Sequence, residues 1–348
     1  MSEINESLWK RRRELPSANV PLSIVFIMIT AALSAVTSMG FGGMFCIGVA
    51  GASFGFLLSV RRDLLVWITP LVSFGCAFAV SGSLYSALAT LFYIPVGIVL
   101  AMALFTRRKL SFTVAVITVL LFIAMGVLFV IALASAYEGG IKECFNAFMD
   151  DTRASLNEAF SLISYKGQDG EVYHLSGKDV ELLIESAVMI MPSVVVLTCQ
   201  LLAYICTRIY RGLFRRLGFE ALFFGHRFEL TLSLPAAIVY FVSYALSSFA
   251  GSSSVLFYSA VNITYILMPA AAIAGFKSVF AKDGLFRVRV RPSSRIFFIV
   301  MCAVALFLSP LALIQFFAMF GSGLIMWRAF FSAMIEKKRK NGEDRDGQ

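Results

Sequence analysis

The sequence predicts an all-α, polytopic membrane protein of about ten transmembrane helices, with an acidic external insert between the fifth and sixth helices. Three observations support this fold class. The chain is 59% hydrophobic and 15% charged, whereas a soluble domain has about 25% charged residues. Its apolar runs are long and continuous, unlike the short alternating segments of a β-barrel. Finally, its acidic and basic residues are sorted along the chain.

The one long polar segment, residues 137–185, carries most of the sorted charge. It holds ten acidic and four basic residues, which gives it a net charge of −6. Because the whole chain has a net charge of +9, the remaining residues carry +15. Lys and Arg are retained in cytoplasmic loops, whereas acidic residues do not prefer a side. We therefore expect residues 137–185 to be external. They form either a lid or docking surface, or a connector lying on the bilayer or on neighbouring helices.

The first half of the insert has the spacing of an amphipathic helix. Apolar positions recur there at steps of three and four, which places them on one face. A turn-rich patch with two glycines, Tyr165–Glu171, follows this helix. The predicted apolar face consists of Ile141, Phe145, Phe148, Thr152, Leu156, Ala159, Phe160 and Ile163.

The second half of the insert begins another helix. Ser176 and Asp179 resemble a capping box with the shorter acid in place of Glu. A helix from Ser176 to Thr207 would be about 46 Å long, whereas the hydrocarbon core is about 30 Å thick. We therefore expect this helix to project from the membrane or to break near Pro192.

Clusters of basic residues predict the threading of the chain. Each cluster of three or more falls on the cytoplasmic side if the chain crosses five times before the insert and five times after it. The last apolar run has basic residues on both flanks, so two spans with a turn at Ser309–Pro310 fit better than one. The predicted spans are 22–38, 44–60, 64–80, 84–105, 110–135, 186–207, 231–250, 255–276 and, as a pair, 296–335.

This threading divides the chain into five segments and places it in a bacterial inner membrane with both termini in the cytoplasm. Residues after Thr207 alternate basic and aromatic side chains, which suits the inner headgroup layer and its anionic lipid. Single-stranded nucleic acid is bound by similar patterns, but the position beside a span favours lipid. The segments are an N-terminal segment 1–21, a first membrane half 22–136, the insert 137–185, a second membrane half 186–335 and a charged tail 336–348.

Residues that carry chemistry are scarce. The predicted span interiors lack Asp, Glu and His, whereas proton relays and intramembrane enzymes need such groups. No nucleophile–base set, metal motif or Walker A sequence is visible, so we expect no enzyme, no metal and no cofactor. Five of the six cysteines fall in apolar runs, which argues against disulfides and zinc.

Polar residues at depth are the candidates for a ligand site. They are Gln200, Asn262 and Gln315, with scattered Ser and Thr. These amides can contact a neutral polar ligand, or they can bond to a neighbouring helix. Ala31 and Ala35 lie four residues apart on the first span, which allows close helix approach. This pair indicates either a docking face for another membrane subunit or packing within the chain.

Two functions fit these observations. The first is a substrate-binding or permease-type subunit that takes a neutral small molecule and has no ATPase of its own. The second is a non-transporting scaffold that docks partners through the external insert or the inner basic loops.

Three further motifs resemble a known family. They are the Gly-rich first hairpin, the basic turn Arg215–Gly218 leading to Arg227–Pro235, and the closing Gly323–Arg328. Together they are similar to the YybS-like family of uncharacterised bacterial membrane proteins, which is often grouped with the substrate-binding subunits of energy-coupling-factor transporters. The resemblance implies that Ala31 and Ala35 contact an energising partner. Family members tend to carry an acid in the closing motif, where this chain has Met326 or Trp327.

Overall fold

The computed structural model shows two compact helical units. The first comprises Met1–Val188 and Val195–Phe228, and the second comprises Met189–Val194 and Glu229–Gln348. The structure describes residues 20–39, 43, 45–61, 64–106, 110–161, 164–166, 172–174, 177–216, 232–249, 254–280, 300–302, 304 and 309–346.

Helices dominate the first unit. Helix α1 packs against α2 and α3, α2 packs against α5, and α6 packs against α5 and α7. The helices are α1 Val20–Ser38, α2 Phe45–Val60, α3 Leu65–Ser81, α4 Leu84–Thr90, α5 Tyr93–Thr106, α6 Leu110–Ala136, α7 Ile141–Ser161 and most of α8 Gly177–Arg216.

A short β-hairpin lies between α7 and α8. Strands β1 Ser164–Lys166 and β2 Val172–His174 pair antiparallel, with Tyr165 opposite Tyr173. The hairpin flanks the patch for which the sequence predicts a turn.

Three helices form most of the described part of the second unit, together with the segment Met189–Val194 of α8. It contains α9 Leu234–Phe249, α10 Val255–Phe280 and α11 Pro310–Asp346. Each of these helices contacts the other two. Among the described residues, Tyr240, Met268, Ala271 and Ala318 form its buried core.

Helix α1 has the burial pattern of a helix surrounded by lipid. Apart from Ile27, its buried face is made of small or hydroxyl side chains around Thr30, Ala31 and Ser34. Its outer face is strongly apolar and includes Met28, which is 62% exposed, and Val25. In water this polarity would be reversed, so the outer face is adapted to an apolar solvent.

Apolar helices coincide with nine of the ten predicted spans. In the described part of the chain, six are long and apolar enough to cross a membrane, and three shorter ones cover 45–60, 65–81 and 234–249. Helix α11 begins at Pro310, where the sequence predicts a turn. Of the preceding predicted span, only 300–302 and 304 are described among residues 296–308, and they are helical.

The predicted span 84–105 consists of two helices rather than one. Helix α4 ends at Thr90 and α5 begins at Tyr93. Pro95 lacks the N–H that would bond to the carbonyl of Leu91 in a continuous helix. The N–H of Ile94 bonds to that carbonyl instead, at 2.9 Å. This bond spans three residues rather than four, and the tighter turn lies where α4 ends and α5 begins.

Helix α8 is continuous through Pro192. It runs for 40 residues from Gly177 to Arg216, about 60 Å at a rise of 1.5 Å per residue. Of the two predicted alternatives, the long uninterrupted helix is the one observed. The predicted capping box at Ser176 lies outside the described residues.

Glycine permits the closest helix contact in the second unit. A Cβ atom added to Gly321 of α11 would lie 2.9 Å from the Cα of Gly275 on α10 and closer still to the carbonyl of Ala271. Backbone atoms cannot move aside as a side chain can, so this crossing requires the absence of a side chain. Gly323, two residues further on, meets no atom within 4 Å.

Replacing Gly321 by Val should therefore destabilise the second unit far more than replacing Gly323. We expect Gly321→Val to cost about 1–3 kcal/mol, because the new side chain must push α10 and α11 apart. Thermal unfolding of both variants in detergent micelles tests this. Equal melting temperatures for Gly321→Val and Gly323→Val would contradict the observed crossing.

The acidic insert, residues 137–185, is fixed to the ends of its flanking helices. The ring of Phe148 on α7 packs edge-on against Phe129 of α6, with centroids 5.8 Å apart. Arg153 of α7 pairs with Glu181 of α8 at 3.2 Å and with Asp150 at 3.0 Å. The predicted amphipathic helix is thus present, and one residue of its apolar face contacts α6.

A further tie joins the loop before α7 to α7 itself. The hydroxyl of Tyr137 donates a hydrogen bond to the carboxylate of Asp151 at 2.9 Å. This bond, together with partial desolvation and the nearby negative charge, raises the pKa of Tyr137. The bond is intact below the ordinary tyrosine pKa and is lost as pH rises through the raised pKa.

The ionisation of Tyr137 should shift when its acceptor is changed. Subtracting the ultraviolet titration of Tyr137→Phe from that of the wild type isolates this one phenol. We expect Asp151→Asn to move the midpoint to lower pH, because the neutral amide no longer disfavours the phenolate. An unchanged midpoint would mean that the two side chains do not interact in solution.

Candidate functional site

Two of the three amides predicted to contact a ligand, Asn262 and Gln315, lie far apart within the second unit. Gln200, on α8, belongs to the first unit, whereas Asn262 and Gln315 belong to the second. Helices α10 and α11 are antiparallel, because Gly275 meets Phe317 and Ala271 meets Gly321. Gln315 therefore lies level with the end of α10, roughly 20 Å along that helix from Asn262.

Asn262 is bonded to the backbone of α8. Its Oδ1 accepts from the N–H of Ser193 at 3.2 Å, and its Nδ2 donates to the carbonyls of Met189 at 2.8 Å and of Tyr258 at 2.9 Å. These contacts match the alternative in which a buried amide bonds to a neighbouring helix. A ligand would have to displace them to reach this side chain.

Gln200 and Gln315 are both half-buried. Gln200 has an interaction within the chain. The side chain of Gln315 makes no hydrogen bond to any residue in the described part of the chain. Their role as ligand contacts stays a prediction.

The predicted docking pair faces the protein interior. Ala31 is 2% exposed and Ala35 is half-buried. Both lie on α1, which packs against α2 and α3. Contact with a partner subunit therefore stays a prediction, and Ala35 is the more accessible of the two residues.

A cluster of buried hydroxyls in the first unit was missed by sequence reasoning. It lies where α1 meets α3. Arg61, at the end of α2, donates to Ser23 near the start of α1 at 2.7 Å, and Ser38 donates to the carbonyl of Ala77 near the end of α3 at 3.1 Å. Because α3 starts at Leu65, close after Arg61, α1 and α3 run parallel.

This parallel arrangement brings hydroxyls from the two helices to the same level. Ser34 lies four residues before Ser38, and Ser73 lies four residues before Ala77, one helical turn in each case. A further turn back, Thr30 is level with Thr69. All four side chains are at most 1% exposed. We call Ser34, Thr69 and Ser73, with Tyr93 of α5, the hydroxyl cluster.

The hydroxyl cluster differs from the other buried hydroxyls of the first unit. Thr37 and Thr118 each donate to the carbonyl four residues earlier, at 2.9 and 2.7 Å, which is how hydroxyls in membrane helices are usually satisfied. In contrast, none of the four cluster oxygens has a hydrogen-bond partner among the residues described. Buried polar atoms without partners are rare in folded proteins.

Tyr93 closes one side of the cluster. Its side chain is fully buried, and its ring packs edge-on against Phe54 of α2 with centroids 5.4 Å apart. Its hydroxyl lies close enough to Ser73 to interact with it, although the pair does not meet the geometry of a full hydrogen bond. The two hydroxyls are therefore neighbours within the cluster.

The chemistry of this cluster is neutral. Within the described ranges, every fully buried polar residue is Ser or Thr, joined by the buried tyrosines. The same ranges contain no group of three His, Cys, Asp or Glu placed to hold a metal ion. Hydroxyls donate and accept hydrogen bonds without carrying charge, so the cluster suits water or an uncharged polar group.

A signal for the cluster exists in the sequence. Hydroxyl residues four apart, Thr30, Ser34 and Ser38 on α1 and Thr69 and Ser73 on α3, form stripes on two predicted spans. Spacing alone does not show that the stripes meet, because that depends on how α1 and α3 pack.

An apolar recess of about 450 Å³ lies elsewhere, in the second unit. All its lining residues belong to α11, so it is a shallow depression on one helix surface. Its lining is Phe316, Met319, Phe320, Gly323, Leu324 and Trp327. Without polar groups to orient a solute, it suits an acyl chain better than a polar ligand.

Comparison with known proteins identifies the family. The family model described as "Predicted membrane protein (DUF2232)" matches residues 20–321. No curated protein and no solved structure matches the chain. The matched region spans both compact units and the hydroxyl cluster. Because the match covers most of the sequence, the chain belongs to the DUF2232 family of predicted membrane proteins.

Proposed function

We propose that this protein is a membrane carrier subunit that binds an uncharged small molecule through the hydroxyl cluster of its first unit. The observation that carries the proposal is the set of unpartnered hydroxyls of Ser34, Thr69, Ser73 and Tyr93. They are buried, they converge from three helices, and no charged group lies among the buried residues described.

The energetic cost of these hydroxyls supports an occupant. A buried polar group without a partner costs about 1–3 kcal/mol. Four such groups together cost an amount comparable to the whole stability of an ordinary domain, about 5–15 kcal/mol. A bound molecule with hydroxyl, carbonyl or amide groups would remove much of this cost. A protein that only provides a scaffold gains nothing from carrying it.

Transport would require energy from elsewhere, because the sequence has no Walker A motif. The resemblance to YybS-like proteins and to energy-coupling-factor binding subunits supports a partner ATPase, with Ala35 and Ala31 at the predicted contact. In this proposal the basic loops face the cytoplasm of a bacterial cell and bind anionic lipid. Gln200, in the same unit as the hydroxyl cluster, remains a proposed additional contact of the solute.

Ligand retention should depend on the hydroxyl cluster. In native mass spectrometry of protein extracted gently from its own membranes, we expect an adduct of small-molecule mass. Ser34→Ala and Ser73→Ala should each lower its occupancy about two- to tenfold, because each removes one hydrogen bond of about 0.5–1.5 kcal/mol. Neither variant should lower the melting temperature of the ligand-free protein, since no bond within the chain is lost.

Thr37→Val is the matched control. Thr37 lies on the same helix and is equally buried, but its hydroxyl is already bonded to the carbonyl of Leu33. Thr37→Val should leave the adduct unchanged. Absence of an adduct from the wild type, or equal losses in Thr37→Val and Ser34→Ala, would reject the hydroxyl cluster as the binding site.

The scaffold function is the alternative, and one observation favours it. The external insert is fixed to α8 by Arg153 and Glu181, yet it exposes large apolar side chains, with Ile141 65% and Leu182 62% exposed. Such residues beside charged ones are typical of a docking surface.

Deleting residues 141–175 separates the two functions. A scaffold should lose a co-purifying protein while the membrane units stay folded. A carrier should keep its small-molecule adduct after the same deletion, because the hydroxyl cluster lies outside the insert.

A further inference from the structure

Pro192 interrupts the hydrogen-bond pattern in the middle of α8. Proline has no N–H and its ring crowds the carbonyl four residues earlier, here that of Val188, so an interior proline usually kinks or breaks a helix. Helix α8 nevertheless continues for 40 residues. Something must compensate for the lost backbone bond.

Asn262 of α10 braces α8 on both sides of the proline, and the α8 segment it contacts, Met189–Val194, belongs to the same unit. Met189 and Ser193 are four residues apart, so the carbonyl of the first and the N–H of the second are partners in a regular helix. Asn262 binds both: its Nδ2 donates to Met189 at 2.8 Å and its Oδ1 accepts from Ser193 at 3.2 Å. One carboxamide thus spans the two ends of a helical hydrogen bond beside the proline.

Two more contacts hold this arrangement in place. The Nδ2 of Asn262 also donates to the carbonyl of Tyr258 on its own helix, at 2.9 Å, which fixes the side-chain rotamer. The hydroxyl of Ser193 is fully buried and donates to the carbonyl of Ile190 at 2.8 Å. The Oδ1 atom and the Nδ2 group of Asn262 are thus fully used, so the contact is specific.

We propose that α8 is hinged at Pro192 and that Asn262 is the latch that holds the hinge closed. With the latch engaged, the segment from Met189 to Ser193 keeps helical geometry. With the latch released, the N–H of Ser193 and the carbonyl of Met189 have only each other as partners, and α8 bends at the proline, where the carbonyl of Val188 has no backbone donor. The helix thereby has two arrangements, set by one side chain, and the proposal stands independently of the carrier function.

Hydrogen exchange of the full-length protein in detergent micelles tests the latch. Asn262→Leu keeps the size of the side chain and removes both bonds to α8. We expect amide exchange at residues 193–196 to accelerate about ten- to thirtyfold, as the loss of two hydrogen bonds implies. Gln315→Leu, which removes a half-buried amide from the same unit, should leave these amides unchanged.

Pro192→Ala supplies the decisive comparison. The new N–H can bond to the carbonyl of Val188, so this variant alone should slow exchange at residues 193–196. Combined with Asn262→Leu, it should restore protection to the wild-type level or better. Pro269→Ala, a proline within α10, should not rescue Asn262→Leu.

Three results would overturn the proposal. The first is amide exchange at residues 193–196 of Asn262→Leu that is as slow as in the wild type. The second is faster exchange that Pro192→Ala fails to reverse, which would mean that Asn262 supports the unit in general. The third applies if Asn262→Leu does not fold, and it needs only the single variant Pro192→Ala. Unchanged exchange at residues 193–196 in that variant would mean that Pro192 does not weaken the helical hydrogen bonds of α8.

Discussion

Polar groups in a bilayer have no water to bind, so each must find its partner within the protein. This constraint explains the placement of most hydroxyl and amide side chains in both units. The hydroxyls of Thr37 and Thr118 donate hydrogen bonds to backbone carbonyls of their own helices. Asn262 satisfies backbone groups beside a proline. The hydroxyl cluster is informative because it does not follow this rule.

Close helix packing and polar placement are linked. Where glycine lets two backbones touch, as at Gly275 and Gly321, no side chain remains between the helices and polar groups are excluded. Where serine and threonine line an interface, as between α1 and α3, helices also approach closely but bring hydroxyls with them. The first arrangement gives stability, and the second is the one on which the proposed binding of a solute rests.

The positions of the helices could be predicted from the sequence because hydropathy and charge are local properties. Nine predicted spans coincide with described helices, and the amphipathic helix of the insert was predicted as well. The break at Pro95 and the continuity at Pro192 could not be predicted, since each depends on which groups replace the missing bond. Likewise, the partners of Asn262 and the shared level of Ser34 and Ser73 depend on how helices pack, which no spacing within one helix encodes.

The contacts that fix the acidic insert have a consequence for any preparation of this protein. Arg153 and Glu181 hold α7 against α8 through an ion pair whose side chains are 41% and 45% exposed. Exposed pairs of this kind contribute about 0.2–1 kcal/mol and weaken with ionic strength, because the screening length falls from about 10 Å at 0.1 M to about 3 Å at 1 M. Buffer salt therefore controls how firmly the insert is docked, and experiments at low salt will overstate its rigidity.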